Sequence, residues 1–230
     1  MNRQAVNPYL PSWEYIPDGE PHVFNGRVYV YGSHDRFNAP IFCVNDYVCW
    51  SAPVEDLSEW RYEGVIYRKK QDPKNPLGYH LLFAPDVCQG PDGRYYLYYA
   101  FDFLGIMSVA VCDTPAGEYK FLGHIHYADG TLWGRRRGDQ LPFDPGVLVD
   151  DDGRVWLYSG FYNAVPAILT GGHKLRCDGG TVLELEKDMV TIKTEPRVIF
   201  PKKGPGAFQG HEFFEASSIR KEGKTYIFVY

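Results

Sequence analysis

The sequence predicts an all-β protein, and three of its features indicate that class. The 230 residues include 24 glycines and 17 prolines, which interrupt helices and favour turns. Aromatic residues make up 16% of the chain, and their side chains favour the half-buried, pleated surfaces of strands. The third feature is an internal repeat with a strand–turn–strand pattern, whereas no segment has the periodicity of a convincing amphipathic helix.

The repeat occurs four times, and each copy has the pattern of a β-hairpin. A small or acidic residue opens the copy, followed by a short apolar strand, a glycine turn, a basic residue and an aromatic-rich strand. Three of the turns contain Asn25-Gly26, Asp92-Gly93 or Asp152-Gly153, dipeptides that tight hairpins prefer because both central residues need positive φ. The four copies span residues 19–33, 83–100, 143–160 and 214–230.

Weaker strand candidates lie between the copies, so each period holds about four strands. Glu20, Ala84, Asp144 and Glu215 align across the copies, at spacings of 64, 60 and 71 residues. A period of this length with four strands is typical of a β-propeller blade, and the alternative is a sandwich or solenoid whose hairpins are similar by coincidence. The strand candidates are residues 41–51, 60–67, 107–112, 168–169, 181–185 and 197–200, and one turn is expected at 56–60.

Residues 1–230 are interpreted as one partial propeller domain with blades that start near residues 19, 83, 143 and 214. The sequence holds three full periods and the opening hairpin of a fourth, and it stops inside an apolar strand. Because an open propeller exposes strand edges, we expect an N-terminal fragment, or a chain whose missing blades come from elsewhere. The 230 residues alone are expected to be inactive or feeble. The same edges would favour association into a homo-oligomer.

Charge and hydrophobicity exclude several classes of function. The net charge is −5, whereas a general nucleic-acid binder is normally basic. No run approaches the roughly 18 apolar residues of a membrane span, and the first residues lack the basic-then-apolar order of a signal peptide. The five cysteines are scattered and form no CxxC pair, which favours reduced thiols and a cytoplasmic protein.

Acidic residues recur at the starts of the repeats. Glu20, Asp144 and Glu215 hold equivalent positions, and the second copy has Ala84 there with Asp86 two residues later. In a propeller these side chains would converge at one mouth of the central axis. A single Asp or Glu before a strand most often caps a turn, but equivalence across separate repeats favours a shared task. Paired carboxyls are the apparatus of glycoside hydrolysis, in which one donates a proton and another activates water.

The motifs at the repeat starts resemble those of glycoside hydrolase family 43. Phe83-Ala84-Pro85-Asp86 is similar to an aromatic-Ala-Pro-Asp element of that family. Phe143-Asp144-Pro145 resembles the segment with a pKa-modulating aspartate, and the segment around Glu215 resembles the one with the general acid. The resemblance runs from Asn7 to the end of the chain. It implies a five-bladed propeller of the arabinofuranosidase and β-xylosidase group, of which about three blades and one hairpin are present.

The resemblance implies hydrolysis of an α-L-arabinofuranoside or β-D-xyloside with inversion. Glu215 would donate a proton to the leaving oxygen, and Asp144 would tune and orient Glu215. The family's base is usually an Asp in an Asp-Pro pair, whereas this chain has Glu20-Pro21 with Asp18 two residues earlier. The base is therefore Glu20 or Asp18. Inversion requires the acid and base carboxyls to lie about 6.5–9.5 Å apart.

Several further residues are candidates for binding a carbohydrate, the expected partner. Phe83, Phe143 and Trp133 could form an apolar platform for a sugar ring, although ordinary packing explains any one of them as well. His34, Asp35 and Asp86 could hydrogen-bond sugar hydroxyls, and Glu212 is a weaker candidate.

No cofactor and no metal motif is predicted, although the resemblance allows an axial ion such as calcium with ligands that cannot be located. The rival function is a non-catalytic propeller whose acidic mouth binds carbohydrate or protein.

Overall fold

A computed structural model of the protein describes residues 7–230, and residues 1–6 of the interpreted domain lie outside the described residues. The described part is almost entirely β, and its one helical element is the short 3-10 turn Lys69–Gln71. The strands are β1 (Glu20–Phe24), β2 (Arg27–Tyr31), β3 (Tyr47–Pro53), β4 (Arg61–Tyr67), β5 (Asp86–Gln89), β6 (Tyr95–Ala100), β7 (Met107–Cys112), β8 (Lys120–His124), β9 (Gly146–Val149), β10 (Val155–Ser159), β11 (Gly179–Leu185), β12 (Arg197–Pro201), β13 (Ser218–Glu222) and β14 (Thr225–Val229).

The strands form three four-stranded sheets and one hairpin, each antiparallel and connected in chain order. The sheets are β1–β4, β5–β8 and β9–β12, and the hairpin is β13–β14. Each sheet begins with one of the predicted repeat hairpins, with Glu20 opposite Tyr31 and Asp86 opposite Tyr98 in the first two. The all-β class and the four strands of each full period are confirmed.

The first strands of the sheets lie side by side. Strand β5 contacts both β1 and β9, and β9 also contacts β13. Hydrogen bonds join these strands: the Val147 amide donates to Asp86 Oδ2 at 2.6 Å in the interior, and the half-buried Ser218 Oγ donates to Glu20 Oε1 at 2.8 Å. The segments that enter the first strands are thereby brought to a common end of the molecule.

The hairpin turns differ in part from the sequence prediction. Only Asn25-Gly26 has two residues with positive φ, at 50° and 75°. In the second and third repeats the loop between the paired strands is longer, and among the predicted turn residues only Gly93 and Gly153 have positive φ. Longer loops let the preceding aspartate stay in an ordinary conformation while its carboxylate accepts backbone amides, as Asp92 does from Arg94.

Some of the weaker strand predictions were wrong. Residues 168–169 lie in an exposed turn rather than a strand. The turn expected at 56–60 is present, since the Glu59 amide donates to the Asp56 carbonyl at 3.2 Å. Residues 41–46 are a loop before β3, and strand β8 was not predicted at all. Strand β8 alternates exposed and half-buried residues at the outer part of its sheet, so it lacks the apolar signal of the inner strands.

The core lies between neighbouring sheets and is rich in aromatic side chains. Trp133 is fully buried against residues of the second and third sheets, including Tyr98, Met107 and Leu157. The prediction that Trp133 forms a sugar platform is therefore wrong, because no face of the indole reaches a surface. All five cysteines are free thiols, and no helix among residues 7–230 is long and apolar enough to span a bilayer.

We expect Trp133→Ala to lower the free energy of unfolding by about 3–5 kcal/mol, because it empties a large site in the packed core. Urea denaturation measures the loss. The matched control is Tyr79→Ala, since Tyr79 is 80% exposed and its removal should change stability by less than about 0.5 kcal/mol. Equal stability of the two variants would contradict the placement of Trp133.

Candidate active site

A cavity of about 420 Å³ opens where the chain enters the first strands of the sheets. Asp18, Ala84 and Asp144 lie two residues before β1, β5 and β9, and Glu215 lies three residues before β13. All four line this cavity. Segments that are far apart in sequence thus supply one site, and three of them supply a carboxyl group.

The backbone at these positions is held in an uncommon conformation. Asp18, Asp144 and Ala216 have φ values of 54°, 46° and 59°, in the left-handed region that side chains other than glycine rarely adopt. Such conformations persist where surrounding packing enforces them, and they cluster at functional sites. Here they occur at Asp18 and Asp144, which line the cavity, and at Ala216 directly after Glu215.

Asp144 is the most buried of the three carboxyls, with 6% of the residue exposed. Its Oδ2 accepts a hydrogen bond from the Ala216 amide at 3.2 Å. This bond connects the segment that leads into β9 to the segment that leads into β13. Burial raises the pKa of Asp144 well above its usual range, and the nearby Glu215 carboxyl raises it further. Asp144 and Glu215 therefore share a region in which two negative charges are costly.

Glu215 is half-buried at the wall of the same cavity. Desolvation raises the pKa of Glu215, and the negative charge of Asp18 raises it further. A raised pKa keeps a carboxyl protonated nearer to neutral pH, which is what a general acid needs.

Asp18 is exposed, in contrast to the other two carboxyls. Its Oδ2 accepts a hydrogen bond from the buried Ser33 hydroxyl at 2.7 Å, which orients the carboxylate. An oriented and solvated carboxylate at the cavity can accept a proton from water. Of the two bases that the sequence left open, Asp18 is the one that lines the cavity together with Asp144 and Glu215.

Glu20 occupies a different environment, below the cavity among the first strands. Its carboxylate accepts hydrogen bonds from Ser218 and from the guanidinium of Arg220 on β13. Burial raises the pKa of Glu20, as does Asp86, whereas Arg220 and Ser218 lower it. Glu20 is the first residue of β1, equivalent to Asp86 in β5, so the sequence alignment that paired it with Asp144 was displaced by two residues.

Asp86 was predicted to bind substrate, but the structure places it in the interior. The residue is 1% exposed and is not among the residues that line the cavity. Its Oδ1 contacts His22 Nε2 at 2.6 Å, and its Oδ2 accepts a hydrogen bond from the Val147 amide. We therefore assign Asp86 to the joining of β1, β5 and β9 rather than to a sugar.

Glu20, His22 and Asp86 form a possible metal-ligand group, since one donor atom of each lies within 4.8 Å of the others. The two carboxylates already have partners, with Arg220 beside Glu20 and His22 beside Asp86. The Arg220 guanidinium already supplies a positive charge beside Glu20. These residues therefore fit an ion poorly, and no step below depends on one.

Six phenylalanines give the cavity an apolar wall. Phe83 and Phe143 were predicted to line it and do so, packed edge-to-face with ring centroids 5.7 Å apart. Phe103 stacks on Phe143 at 5.4 Å, which extends the wall. Sequence reasoning missed four of the six, namely Phe42, Phe103, Phe161 and Phe214.

The sequence positions of some of these phenylalanines could have predicted them. Phe103 and Phe161 follow the second strands of their sheets, β6 and β10, and the predicted Asp35 follows β2 in the same way. Phe214 directly precedes Glu215. The ends of second strands thus lie beside the entries to the first strands, as hairpin pairing requires.

The remaining predicted residues lie at or beyond the rim. Asp35 lines the cavity, whereas His34 lies next to it with Nε2 2.9 Å from Glu14 Oε1 and lines a neighbouring cavity. The Glu212 carboxylate accepts a hydrogen bond from the Gly210 amide, and Glu212 does not line the cavity. Cys43 lines the cavity, but burial raises the pKa of its thiol to about 12, so it is no thiolate nucleophile near neutral pH.

Comparisons with known proteins agree on one family. Residues 17–230 match glycosyl hydrolases family 43. A xylosidase/arabinosidase of Thermoclostridium stercorarium is 60% identical over 234 residues, which cover 100% of this chain and 47% of that protein. Xylosidase/arabinosidase 43A of Humicola insolens is 31% identical over 250 residues, covering 94% of this chain and 72% of that protein. The chain thus spans about half the length of the first of these relatives.

A solved structure supports the fold. A β-xylosidase/α-arabinofuranosidase from a compost microbial metagenome, in complex with xylotriose, matches with a TM-score of 0.70 and 26% sequence identity. The match covers 99% of this chain and 73% of that chain.

We expect Asp144→Asn to stabilise the protein at neutral and alkaline pH. The pKa of Asp144 is raised by folding, so its contribution to stability is complete below the unfolded pKa and is lost as the pH rises through the folded pKa. Asparagine carries no charge to bury, and its side-chain oxygen can still accept the hydrogen bond from the Ala216 amide. Thermal unfolding should show a melting temperature higher by about 2–4 °C at pH 8, which is about 1 kcal/mol for a chain of this size.

The rise in melting temperature caused by Asp144→Asn should vanish near pH 4, where the wild-type carboxyl is also neutral. A gain of the same size at both pH values would show that the buried charge is not its cause.

Proposed function

This chain belongs to glycosyl hydrolase family 43, and we propose that it carries the catalytic carboxyls of an inverting glycoside hydrolase. The proposed substrates are β-D-xylosides and α-L-arabinofuranosides, in keeping with the names of its relatives. The observation that carries the proposal is the meeting of Asp18, Asp144 and Glu215, from three separate sheets, around one phenylalanine-lined cavity.

We further propose that the sheets are blades of a five-bladed propeller. The three four-stranded sheets would be complete blades, and β13–β14 would be the start of a fourth. Adjacent first strands and the TM-score of 0.70 to a family 43 enzyme support this arrangement. The cavity then lies at one mouth of the axis that the first strands surround.

In the proposed reaction, Glu215 donates its proton to the oxygen of the leaving group as the bond from that oxygen to the anomeric carbon breaks. A water molecule attacks the anomeric carbon from the opposite face, and Asp18 takes the proton that the water loses. The new carbon–oxygen bond has inverted configuration, and one water is consumed. Glu215 ends as a carboxylate and Asp18 as an acid, and exchange with solvent resets both.

The difference in exposure supports this division of roles. Half-buried Glu215 has a raised pKa that favours the protonated acid, whereas exposed Asp18 remains accessible to water. Asp144 would act as a positioning residue, because its hydrogen bond to the Ala216 amide fixes the backbone next to Glu215. The three carboxyls supply all the proton transfers of hydrolysis, so the proposal needs no cofactor.

The cavity wall also suits a sugar. Its phenylalanines present apolar faces to the carbon–hydrogen surface of a sugar ring, and the carboxyls fix the orientation. Phe42 and Phe214 are 54% and 48% exposed and lie where a substrate would enter. The rival function, a propeller that only binds carbohydrate, would use the same wall without the proton transfers.

Three substitutions test the assignment of the carboxyls. Glu215→Gln and Asp18→Asn should each lower kcat for an aryl β-D-xyloside by about 10²–10⁴-fold, because each removes one proton transfer. Glu20→Gln should lower it by less than about tenfold, since Glu20 serves the packing of β1 on β13. The measurements are steady-state kinetics of the complete natural chain that carries these residues, with circular dichroism as the check on folding.

The results separate the alternatives. A large loss in Glu20→Gln together with an active Asp18→Asn would identify Glu20 as the base. A wild-type protein that binds xylo-oligosaccharides but hydrolyses none of the named glycosides would favour the binding function.

We expect α-xylose as the first product from a β-D-xyloside. Inversion follows if Asp18 activates water directly and no glycosyl-enzyme intermediate forms. Proton NMR of the anomeric signals during the first minutes of hydrolysis measures the product before it equilibrates. Initial formation of β-xylose would contradict single displacement and would indicate a retaining mechanism instead.

A further inference from the structure

We propose that an aromatic cavity beside the active site binds pyranose rings of a xylan chain beyond the sugar held in the catalytic cavity. This second cavity has a volume of about 420 Å³. It is lined by Trp13, Tyr15, Phe37 and Tyr62 together with polar residues, and we call it the platform cavity. The inference rests on the proposed function, because it names an additional binding surface for that substrate.

The platform cavity exposes large aromatic side chains that residues 7–230 leave uncovered. Trp13 is 66% exposed and Phe37 is 76% exposed. Tyr15 and Phe37 are stacked, with ring centroids 6.0 Å apart and planes at 26°. Exposed apolar patches with polar surroundings mark interaction sites. The exposed rings of Trp13 and Phe37 offer flat apolar faces, which suit the flat face of a pyranose better than the puckered ring of a furanose.

Buried contacts hold this surface rigid. The Glu14 carboxylate contacts His34 Nε2 at 2.9 Å with one oxygen, and its other oxygen accepts the indole N–H of Trp50 at 2.8 Å. Trp50 is buried beneath Trp13 and packs against Tyr62, with ring centroids 5.9 Å and 5.2 Å away. A surface ordered in advance loses little entropy when it binds a ligand.

Polar groups stand among the rings. Arg36 is exposed, and it forms no ion pair with the described residues, so its guanidinium can donate to sugar hydroxyls. Asn45 lines the cavity as well, held by a 2.7 Å hydrogen bond from Nδ2 to the Asp35 carbonyl. Aromatic faces with a few hydrogen-bonding groups suit a neutral carbohydrate better than a purely apolar partner.

Asp35 connects the two cavities. It lines the catalytic cavity and the platform cavity, and its carboxylate accepts the amide of Cys43, a residue of the catalytic wall. The Asp35 amide also donates to the Tyr15 carbonyl at 2.9 Å, which fixes the platform segment to the active site. A chain with one sugar in the catalytic cavity can therefore continue over Asp35 onto the aromatic rings.

The experiment compares a short substrate with a long one in the complete natural chain. Trp13→Ala and Phe37→Ala should leave kcat/KM for an aryl β-D-xyloside within about twofold of wild type, because that substrate does not reach the platform cavity. For xylohexaose, kcat/KM should fall by about tenfold, mainly through a higher KM. Trp13→Phe should restore most of the loss, and Tyr79→Ala, at an exposed tyrosine elsewhere, is the matched control.

Gel electrophoresis through soluble xylan measures binding separately from catalysis. In a Glu215→Gln background, the protein should be retarded by xylan, and retardation should be lost on addition of Trp13→Ala or Phe37→Ala but kept with Tyr79→Ala. If the proposed function fails, no hydrolysis is seen, yet retardation that depends on Trp13 still supports the platform cavity.

Three results would overturn the inference. The first is equal retardation with and without Trp13→Ala and Phe37→Ala. The second is retardation by arabinan alone, which would indicate furanose rings. The third is a change in molecular mass in solution caused by Trp13→Ala without any change in xylan binding, which would identify the surface as a contact between copies of the chain.

Discussion

The packing of the first strands against one another is the constraint on which the rest of the structure depends. Strand β5 lies between β1 and β9, and β9 lies next to β13. Because every hairpin starts at the same end of its sheet, the residues just before these strands meet at one end of the molecule. The phenylalanine-lined cavity is a consequence of this packing: its carboxyls come from positions 18, 144 and 215, which share no local sequence context.

Bringing these groups together is costly for stability. Asp144 is buried next to Glu215, and both have raised pKa values. Left-handed backbone at Asp18, Asp144 and Ala216 adds conformational strain of about 1–3 kcal/mol at each position. The surrounding aromatic core and the hydrogen bond from the Ala216 amide offset this cost. A site arranged for function rather than for stability is expected to contain such compensated strain.

The fold could be predicted from the sequence because its signal is local and repeated. Alternating apolar residues and glycine turns define each hairpin, and four similar copies favour a repeated architecture over coincidence. Strand β8 was missed, and the turn at 168–169 was predicted as a strand. Both segments mix exposed positions with a few apolar residues, so composition alone does not distinguish an outer strand from an exposed turn. Which sheet packs on which is settled by buried contacts such as those of Trp133, and these join residues far apart in the chain.

The site was predicted less completely, and the displaced alignment at Glu20 has a physical cause. Proline follows both Glu20 and Asp144, so matching the two prolines shifts the alignment of the first repeat by two residues. Strand pairing corrects it: Glu20 is opposite Tyr31 inside the first sheet, whereas Asp18 lies before the strand and is bonded to Ser33. A carboxylate inside the sheet finds a fixed cationic partner, here Arg220. A carboxylate before the strand, such as Asp18, lines the cavity instead, which is why we propose that the entry to each strand rather than its first residue supplies the reacting groups.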